Sequence, residues 1–432
     1  MLRCKAILRL IETYGYYYQL SRSEYDFCAM ERIQRRKLTR LLRYCQENVL
    51  YYRDMFEEAG VDVEGDPKEQ MQKLPVMSRS VVQERGFDLI PVRRNGEVRV
   101  ATTSGSSGVP VRVLRGTSHK AQENAAVMRR KRNQGISLIY ARIASLCVLP
   151  KQVPRRIGIG QGVSVLRLFR SNSDEFGSLV SWKPHAIYGK ASSLLALAQY
   201  VQDSGAVLHA QCVVSHSEQL TPQVESFLVE VLGCRIHNEY GLEETGDIAH
   251  TVNGCQHMHI DAENVYVEEV KRDDGVAPLL VVTSLNNYAM PILRYATGDS
   301  GHLVTARCAC GRVTPAILNL QGRVDSFVVR PDGRRIFPGE FYRYLGRSTV
   351  RQWWIVQRSA RTIELHYCPR AAYQHEMRAQ LEAVRTLCQG LELKEVQEQT
   401  HHDNKKNGTI VLLSTDGERH DLLRGSTRRQ RA

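Results

Sequence analysis

Short apolar runs alternate with amphipathic helical segments between residues 118 and 233, and this alternation restricts the possible folds more than any other feature of the chain. Residues 144–149 and 212–215 are apolar runs of strand length. Residues 192–203 and 222–232 carry apolar side chains at helical spacing, and a glycine follows each segment. Strands that alternate with helices predict an α/β fold with largely parallel sheets.

The flanking segments predict further helices and strands. Apolar residues at helical spacing indicate a helical lead-in over residues 1–60, and residues 260–305 are rich in strand-forming residues. An Asp-Pro dipeptide at 66–67 and a Leu-Pro dipeptide at 74–75 predict a linker. We also expect a helix over residues 118–134, a loop over 153–176, strands over 353–357, 362–367 and 409–413, and a helix over 373–389.

Composition limits the class of protein. The chain has 432 residues, 42% of them hydrophobic, which is enough for two or three domains with a sizeable core. Its net charge of +13 is dispersed, which favours a solvated surface and anionic ligands over a nucleic-acid partner. Eleven cysteines without a secretory signal predict reduced thiols and a cytoplasmic location.

The chain has no apolar run long enough to predict a membrane span. Its N-terminal segment is basic and rich in tyrosine, so a peripheral membrane contact there is an open alternative.

A loop rich in glycine and hydroxyl side chains occupies residues 102–110, between two strand-like runs at 97–100 and 111–114. Glycines let the backbone approach an anion, and successive N–H groups and hydroxyls can then surround phosphate oxygens. The loop lacks the Gly-Lys-Ser/Thr of a P-loop. Taken alone, such a loop is more often a flexible turn.

Three motifs follow this loop in order: Asn-Glu-Tyr-Gly-Leu-Glu-Glu-Thr at 238–245, Arg-Tyr-Ala-Thr-Gly-Asp at 294–299 and Gln-Gly-Arg-Val-Asp at 321–325. Further matches lie at 51–60, 74–79 and 182–189. The order and spacing resemble those of the adenylate-forming enzymes, the superfamily of acyl-CoA ligases. Within it, the chain resembles the phenylacetate–CoA ligase branch, including the capsular-polysaccharide-biosynthesis type. The resemblance spans roughly residues 40–345.

The resemblance implies an α/β fold in which residues 1–322 form a large adenylate-forming domain with layered sheets and helices. Residues 323–432 would form a small α+β lid domain that swivels. It also implies an activity, the ATP- and Mg²⁺-dependent conversion of a small carboxylic acid to an acyl-adenylate. The acyl group would then pass to the thiol of CoA or of a carrier protein, or to an amine.

The resemblance assigns roles to individual residues. Tyr240 and Gly241 would lie beside the adenine and the activated carboxyl, Asp299 would accept hydrogen bonds from the ribose, and Glu244 would help to hold Mg²⁺. The loop residues that would grip pyrophosphate are Thr103, Ser104, Gly105, Ser106, Ser107 and Gly108.

Ordinary structural roles remain open for the same motifs. The two glutamates at 243–244 are also typical of an exposed helix start, and Thr-Gly-Asp is also typical of a turn. Arg323 would contact ribose or phosphate oxygens and Asp325 would be the domain hinge, although both also suit a surface ion pair.

Two departures from the family pattern concern charge. Glu243 replaces the usual Thr or Ser and adds a carboxylate near the triphosphate. Glu418 stands where the C-terminal domain normally carries a catalytic lysine, with Arg419 as a possible substitute of different geometry. Lys405 and Lys406 are alternative sources of that charge. A chain that has lost this lysine is the alternative hypothesis, a non-catalytic or partner-dependent nucleotide-binding relative.

Cysteines and histidines form a second candidate site, at residues 255–259 and 308–310. Three thiolates and one imidazole suit a tetrahedral structural Zn²⁺. The resemblance favours His259 over His257, so the predicted ligands are Cys255, His259, Cys308 and Cys310. Unrelated reduced cysteines are the alternative. A zinc-bearing nucleic-acid-binding protein is disfavoured, because basic and aromatic residues do not cluster around these positions.

Overall fold

The computed structural model describes residues 2–93, 96–102, 111–116, 120–146, 156–159, 163–168, 173–271, 277–322, 327–336, 338–345, 350–369, 374–398 and 409–412. Within these ranges, no helix is long and apolar enough to cross a membrane.

The helices of the described residues are α1 (Leu2–Ser23), α2 (Phe27–Asn48), α3 (Leu50–Glu58), α4 (Pro67–Lys73), α5 (Arg79–Arg85), α6 (Lys120–Asn133), α7 (Ser173–Trp182), α8 (Ala191–Ser204), α9 (Pro222–Leu232), α10 (Pro338–Leu345) and α11 (Gln374–Leu387). The strands are β1 (Val98–Thr102), β2 (Arg112–Gly116), β3 (Ala141–Leu146), β4 (Arg156–Ile159), β5 (Val163–Leu168), β6 (Ala186–Gly189), β7 (Cys212–His216), β8 (Arg235–Leu242), β9 (Gly246–Val252), β10 (Cys255–Ile260), β11 (Val265–Val270), β12 (Leu279–Ser284), β13 (Tyr295–Val304), β14 (Ala316–Gln321), β15 (Val328–Val329), β16 (Arg335–Ile336), β17 (Val350–Gln357), β18 (Thr362–Pro369), β19 (Glu392–Gln397) and β20 (Thr409–Leu412).

The described residues fall into two compact units. Unit 1 is drawn from Met1–Ala141 and His237–Leu320 with the short stretch Gly160–Val163. Unit 2 is drawn from Arg142–Ile159, Ser164–Ile236 and Gln321–Ala432.

Helices α1 to α3 confirm the predicted helical lead-in. The Asp26 carboxylate accepts a hydrogen bond from the Ala29 N–H and so caps α2 at its start. The apolar positions of α2, including Leu38 and Leu41, are fully buried and join the core of unit 1 together with Tyr52 of α3. Helical spacing therefore located the buried face of α2 correctly.

Unit 1 contains a seven-strand run in the order β11-β12-β13-β14-β10-β9-β8, together with the separate hairpin β1-β2. The neighbours β11 and β12, β12 and β13, β14 and β10, β10 and β9, and β9 and β8 are antiparallel. Ile248, Val265 and Val282 are fully buried at its centre. The prediction of strands over residues 260–305 is confirmed, but these strands are antiparallel rather than parallel.

Buried charges attach α6 to this sheet. The Arg129 guanidinium donates to Asp261 and to Glu263, at 2.6 Å in each case. Arg130 donates to Asp247 at 2.7 Å and to Asp261 at 3.3 Å. Arg129 and Asp261 are both buried. A buried charge is tolerated only when it is paired in this way, so the network fixes where α6 lies on the sheet.

Unit 2 contains the five-strand run β7-β6-β3-β5-β4. β3 is parallel to β6, and β6 is parallel to β7. Helices α8 and α9 end at Gly205 and Gly233, whose φ angles of 64° and 63° lie in the left-handed region that glycine tolerates best. The predicted strand–helix alternation and the parallel pairing are therefore confirmed in this unit.

The C-terminal part of unit 2 forms a four-strand sheet in the order β19-β18-β17-β20. β17 and β18 are antiparallel, whereas β19 and β20 add parallel strands at the two edges. Trp353, Phe341 and Val384 form its buried core with α10 and α11. The predicted strands and helix are confirmed, although β19 was not predicted. The domain boundary at 322–323 stays a prediction, since residues 323–326 lie outside the described ranges.

Two local predictions are wrong. Asp66-Pro67 does not mark a linker, because Asp66 accepts hydrogen bonds from the N–H groups of Lys68 and Glu69 and caps α4 with Pro67 in its first turn. Residues 153–176 contain the strands β4 and β5 where a loop was expected.

Candidate functional site

The strands of the hairpin β1-β2 confirm that the Ser/Gly loop connects two antiparallel strands. Thr102 pairs with Arg112, so the chain reverses direction between them. Arg115 of β2 donates to the main-chain oxygens of Leu242 and Glu243, at 3.2 and 2.7 Å. Because Arg115 pairs with Arg99, this contact attaches the end of the hairpin away from the loop to the turn that follows β8. Residues 103–110 themselves lie outside the described ranges.

Tyr240 and Asp299 lie side by side on β8 and β13. The Tyr240 hydroxyl donates to Asp299 Oδ2 at 2.7 Å, and Asp299 is buried. The Asp299 N–H donates to Thr297 Oγ1 at 3.0 Å, which fixes the backbone at this point. Burial, together with the adjacent Asp299 carboxylate, raises the pKa of Tyr240, so its hydroxyl stays protonated and orients the carboxylate.

Glu244 lies in the turn between β8 and β9, so it does not start a helix. Its Oε1 accepts hydrogen bonds from the Tyr295 hydroxyl at 3.0 Å and from Arg79 Nη1 at 3.1 Å. The Glu244 side chain is 5% exposed. Burial and the Glu244 carboxylate raise the pKa of Tyr295, which keeps this donor protonated. The buried carboxylate is therefore held in one orientation.

The segment before α5 brings Arg79 to Glu244. The Met77 N–H donates to the Arg294 oxygen at 2.8 Å, and the Ala296 N–H donates to the Met77 oxygen at 2.9 Å. Ser78 caps α5, so Arg79 follows at its first position. The motif at 74–79 thus lies directly beside the motif at 294–299. The family resemblance includes both motifs, but it assigns no role to Arg79 or Tyr295.

Glycines at 241 and 246 allow the turn after β8 to close tightly. A Cβ atom at Gly241 would lie 2.9 Å from the Gly246 oxygen, which is too short for a contact. Gly246 has φ of 91°, in the region that favours glycine, and lies against Arg115. Gly241 is therefore explained by backbone packing in addition to any contact with a ligand.

The predicted thiol–imidazole set comes together in unit 1. The ligand atoms of Cys255, His259, Cys308 and Cys310 all lie within 4.8 Å of one another. Cys255 Sγ is 3.5 Å from Cys308 Sγ, and Cys310 Sγ is 3.3 Å from His259 Nε2. Ligands at about 2.3 Å (sulfur) and 2.0–2.1 Å (nitrogen) from one tetrahedral ion require separations of this size. The residues present therefore fit Zn²⁺.

The surroundings of this cluster also suit a metal. Thr314 Oγ1 lies 3.1 Å from His259 Nδ1 and leaves Nε2 directed at the thiols. Burial lowers the pKa of His259 to about 4, so the ring is neutral and able to ligate. Burial opposes ionisation of Cys310, but hydrogen bonds from the Arg312 backbone and side chain outweigh it and lower the pKa of this thiol. His257 Nδ1 lies 3.3 Å from Cys308 Sγ, outside the four-residue set.

The structure thus brings together Tyr240, Gly241, Glu244 and Asp299 as one predicted group and the four Cys/His residues as another. The remaining predicted site residues lie outside the described ranges: Thr103, Ser104, Gly105, Ser106, Ser107, Gly108, Arg323, Asp325 and Glu418.

Comparison with known proteins gives the relatives of this chain. No family model matches it. The phenylacetate–coenzyme A ligase of Thermus thermophilus is 28% identical over 322 residues, which are 69% of this chain and 71% of that protein.

Solved structures share the fold. A 2-hydroxyisobutyryl-CoA ligase in the postadenylation state, in complex with 2-HIB-AMP, aligns with a TM-score of 0.69 at 19% identity, over 94% of this chain and 93% of that one. The same ligase with 2-HIB-AMP and CoA in the thioesterification state aligns with a TM-score of 0.58 at 19% identity, over 93% and 91%. An anthranilate CoA ligase with anthranoyl-AMP has a TM-score of 0.51 at 16% identity, over 72% and 65%.

The fold is similar to that of solved CoA ligases, and the collinear motifs resemble those of the adenylate-forming enzymes. Within that class, the similarity in sequence is to the phenylacetate–coenzyme A ligase of Thermus thermophilus. Because these relatives are named as ligases, the alternative of a non-catalytic relative is not favoured.

Proposed function

We propose that this chain is an AMP-forming acid–thiol ligase. It activates a small carboxylic acid with ATP and transfers the acyl group to CoA, with a carrier-protein thiol as the alternative acceptor. The observation that carries the proposal is a pair of hydrogen-bonded carboxylates. Asp299 accepts a hydrogen bond from Tyr240, and Glu244 accepts hydrogen bonds from Tyr295 and Arg79. These residues come from three of the segments that resemble acyl-CoA ligases, at 74–79, 238–245 and 294–299.

The reaction has two steps. A carboxylate oxygen of the acid attacks the α-phosphorus of ATP, and the bond to pyrophosphate breaks to give an acyl-adenylate. The thiol sulfur then attacks the acyl carbon, AMP leaves with the bonding electron pair, and the thiol proton passes to solvent. Because the substrate supplies the first nucleophile, the protein needs to position the reactants and stabilise charge rather than to provide a catalytic base.

The described residues suit these tasks. Asp299 is buried and pre-oriented by Tyr240, so it can accept hydrogen bonds from two ribose hydroxyls without reorganising. Glu244 offers a carboxylate oxygen of the kind that Mg²⁺ prefers. When bound, Mg²⁺ would neutralise triphosphate charge. Arg79 adds a fixed positive charge beside the same carboxylate.

The residues outside the described ranges complete the proposed site. Thr103, Ser104, Gly105, Ser106, Ser107 and Gly108 would hold the pyrophosphate portion of ATP through N–H groups and hydroxyls. Arg323 would contact ribose or phosphate, and Asp325 would serve as the hinge between domains. Glu418 would occupy the position of the usual lysine.

We further propose that Cys255, His259, Cys308 and Cys310 hold a structural Zn²⁺. Four protein ligands leave no open position, so the ion would stabilise the fold without taking part in the reaction. The cytoplasm is the proposed location, since ATP and CoA are available there and thiol ligands stay reduced.

Pyrophosphate release tests the proposed function. The full chain is incubated with ATP, Mg²⁺ and a panel of aryl, short aliphatic and fatty acids, with hydroxylamine as a trap for activated acyl groups. We expect release that depends on one class of acid and a matching hydroxamate. ATP binding without release for any acid would instead support a relative that has lost turnover.

A further inference from the structure

Helix α1 has apolar side chains on two opposite faces. Its inner face packs on α6, where Leu20, Tyr16 and Tyr17 contact Ala125 and Ala126. This contact accounts for only one side of the helix. A helix that is apolar on both sides is normally buried on both sides, so its second face calls for a partner.

The outer face of α1 is exposed. Leu8, Leu10, Ile11, Tyr14 and Tyr18 have 58%, 56%, 63%, 54% and 63% of their surface accessible. At about 100° per residue these five positions lie on one continuous arc opposite the α6 contact. Single exposed apolar residues are normal on a protein surface, but a contiguous stripe of this kind marks an interaction site.

A basic groove continues the stripe at the junction of α1 and α2. It has a volume of about 600 Å³, and its lining includes Tyr18, Arg22, Tyr25, Arg32 and Arg36. The Arg22 guanidinium donates to the Tyr18 hydroxyl at 3.2 Å, so aromatic and cationic groups adjoin directly. Among the described residues, no carboxylate forms an ion pair with any of these three arginines.

The acidic residues near this surface are few. Asp26 lines the groove, and its carboxylate caps α2 through the Ala29 N–H. Glu12 lies on α1 one turn after Leu8, about 40° around the helix from it, and so flanks one edge of the exposed stripe. Residues 1–23 contain four basic residues and a single acidic one. The surface therefore combines apolar and aromatic side chains with unneutralised positive charge.

We propose that this surface, formed by the α1 stripe and the α1–α2 groove, docks on an anionic membrane surface. Helices with an apolar face and a basic flank lie in the plane of the lipid headgroups and bury the apolar face a few ångströms into the acyl region. Tyrosine suits this boundary because its ring is apolar and its hydroxyl stays hydrated. Arg22, Arg32 and Arg36 would bind lipid phosphates.

A second copy of the chain fits this surface less well. A two-fold symmetric contact places the same patch on both sides of the interface, so one interface would hold the unneutralised arginines of both copies. Like charges across an interface oppose association, whereas an anionic bilayer offers opposite charge and no fixed shape. The positive charge of the surface therefore favours an anionic bilayer over a second copy of the chain as its partner.

Vesicle flotation tests this proposal. The full chain is mixed with phosphatidylcholine vesicles with or without phosphatidylserine, at low and high salt. We expect flotation that requires phosphatidylserine and weakens with salt. The double variant Arg32→Glu with Arg36→Glu should lose at least about tenfold in vesicle affinity, because it removes two cations from the surface that faces the anionic lipid. The double variant Leu10→Glu with Ile11→Glu should lose at least about as much, because it places carboxylates where apolar side chains would enter the acyl region.

Ile139→Glu is the matched control, because Ile139 is also an exposed isoleucine, at 78%, and lies outside α1 and α2. It should float like the unmodified chain, and all variants should keep its melting temperature. Absence of flotation, or equal flotation of all variants, would overturn the proposal. A dimer in solution that dissociates in the Leu10→Glu, Ile11→Glu variant would show that a second copy covers this face. That result would also overturn the membrane proposal. None of these readouts requires turnover, so the result is independent of the proposed ligase activity.

Discussion

At the scale of single residues, the candidate nucleotide site is built on two carboxylates that are each held by a tyrosine. Tyr240 orients Asp299, and Tyr295 orients Glu244 with the help of Arg79. Each hydrogen bond to a charged group is strong because both partners are shielded from water. The site is therefore set in the absence of ligand, which reduces the reorganisation that binding would require.

Asp299→Ala should abolish ATP-dependent activity with little loss of fold. Removal of the carboxylate eliminates the acceptor for the ribose hydroxyls, and losing hydrogen bonds to a charged group costs about 1.5–3 kcal/mol, or roughly 10- to 150-fold in ATP affinity. Titration with ATP and a melting curve check both parts. Tyr240→Phe, which removes only the orienting hydroxyl, should weaken ATP binding less. Unchanged activity in Asp299→Ala would remove Asp299 from the site.

Glu244→Gln and Glu243→Gln form a matched pair of neighbouring substitutions. Glu244 is buried among donors, whereas Glu243 is exposed and contributes a main-chain oxygen to Arg115. Glu244→Gln should raise the Mg²⁺ concentration needed for half-maximal pyrophosphate release by about tenfold or more, because a neutral amide is a poor ligand for Mg²⁺. Glu243→Gln should leave it almost unchanged. Equal effects of the two substitutions would exclude Glu244 as the ligand.

At the scale of elements, the sequence predicts features that depend on one continuous segment, such as the buried face and the end of a helix. Helical spacing located the buried face of α2, and glycines marked the ends of α8 and α9. The four Cys/His residues were found because short spacings already bring ligand pairs close together. Contacts between distant segments, such as Arg79 with Glu244 and Arg129 with Asp261, carry no spacing signal and were not found. Antiparallel pairing in unit 1 was missed for the same reason.

Zinc removal should loosen the contact between β10, which carries Cys255 and His259, and the loop after β13, which carries Cys308 and Cys310. Cys308→Ser, or treatment with a strong chelator, should lower the melting temperature and release one zinc per chain, measured by atomic emission. The strand and the loop would lose the ligand set that joins them, and structural zinc contributes directly to folding free energy. Cys28→Ser is the control, since Cys28 is exposed and lies outside the cluster. A metal-free chain of equal stability would contradict the zinc proposal.

The buried charges that join α6 to the sheet predict a pH dependence of stability. Burial raises the pKa of Asp261, but His250, Arg129 and Arg130 outweigh it, so this pKa lies below its ordinary value of 3.8. The unfolded chain therefore binds the proton more readily, and stability is lost as pH falls below about 4 towards the depressed pKa of the folded state.

Asp261→Asn should remove this loss of stability below about pH 4. It should also lower the free energy of unfolding at neutral pH by about 3–5 kcal/mol, because two arginines are left with fewer partners. Unfolding curves from pH 7 down to the acid limit of the folded chain measure both effects. Parallel pH profiles for the two proteins would show that Asp261 does not carry the acid sensitivity.

At the scale of the whole molecule, the candidate site and the thiol cluster are both built from unit 1, while the lysine-bearing loop expected of acyl-CoA ligases would come from the C-terminal residues. The described part of those residues has the strands and helix that the sequence predicts. The fold class and the family resemblance were therefore accessible from ordered motifs. The role of position 418 was not, because that segment has no motif that fixes its alignment.

Glu418→Lys should accelerate acyl-adenylate formation if position 418 is that of the usual lysine. It replaces a repulsive charge with an attractive one next to the α-phosphate, and a single stabilising group in such a site is worth about 100- to 1000-fold. Single-turnover measurement of the adenylate gives the rate. Glu418→Gln, which removes charge without reversing it, should give a smaller increase. No change in either variant would mean that another residue, such as Lys405 or Lys406, supplies the charge.

The central claim is that this chain forms an acyl-adenylate, and acid-dependent exchange of labelled pyrophosphate into ATP tests it most directly, because exchange requires a reversible adenylation step and no acceptor thiol. The account predicts exchange with one class of carboxylic acid, dependent on Mg²⁺ and absent in Asp299→Ala. No exchange with any acid, from a folded chain that binds ATP, would contradict it.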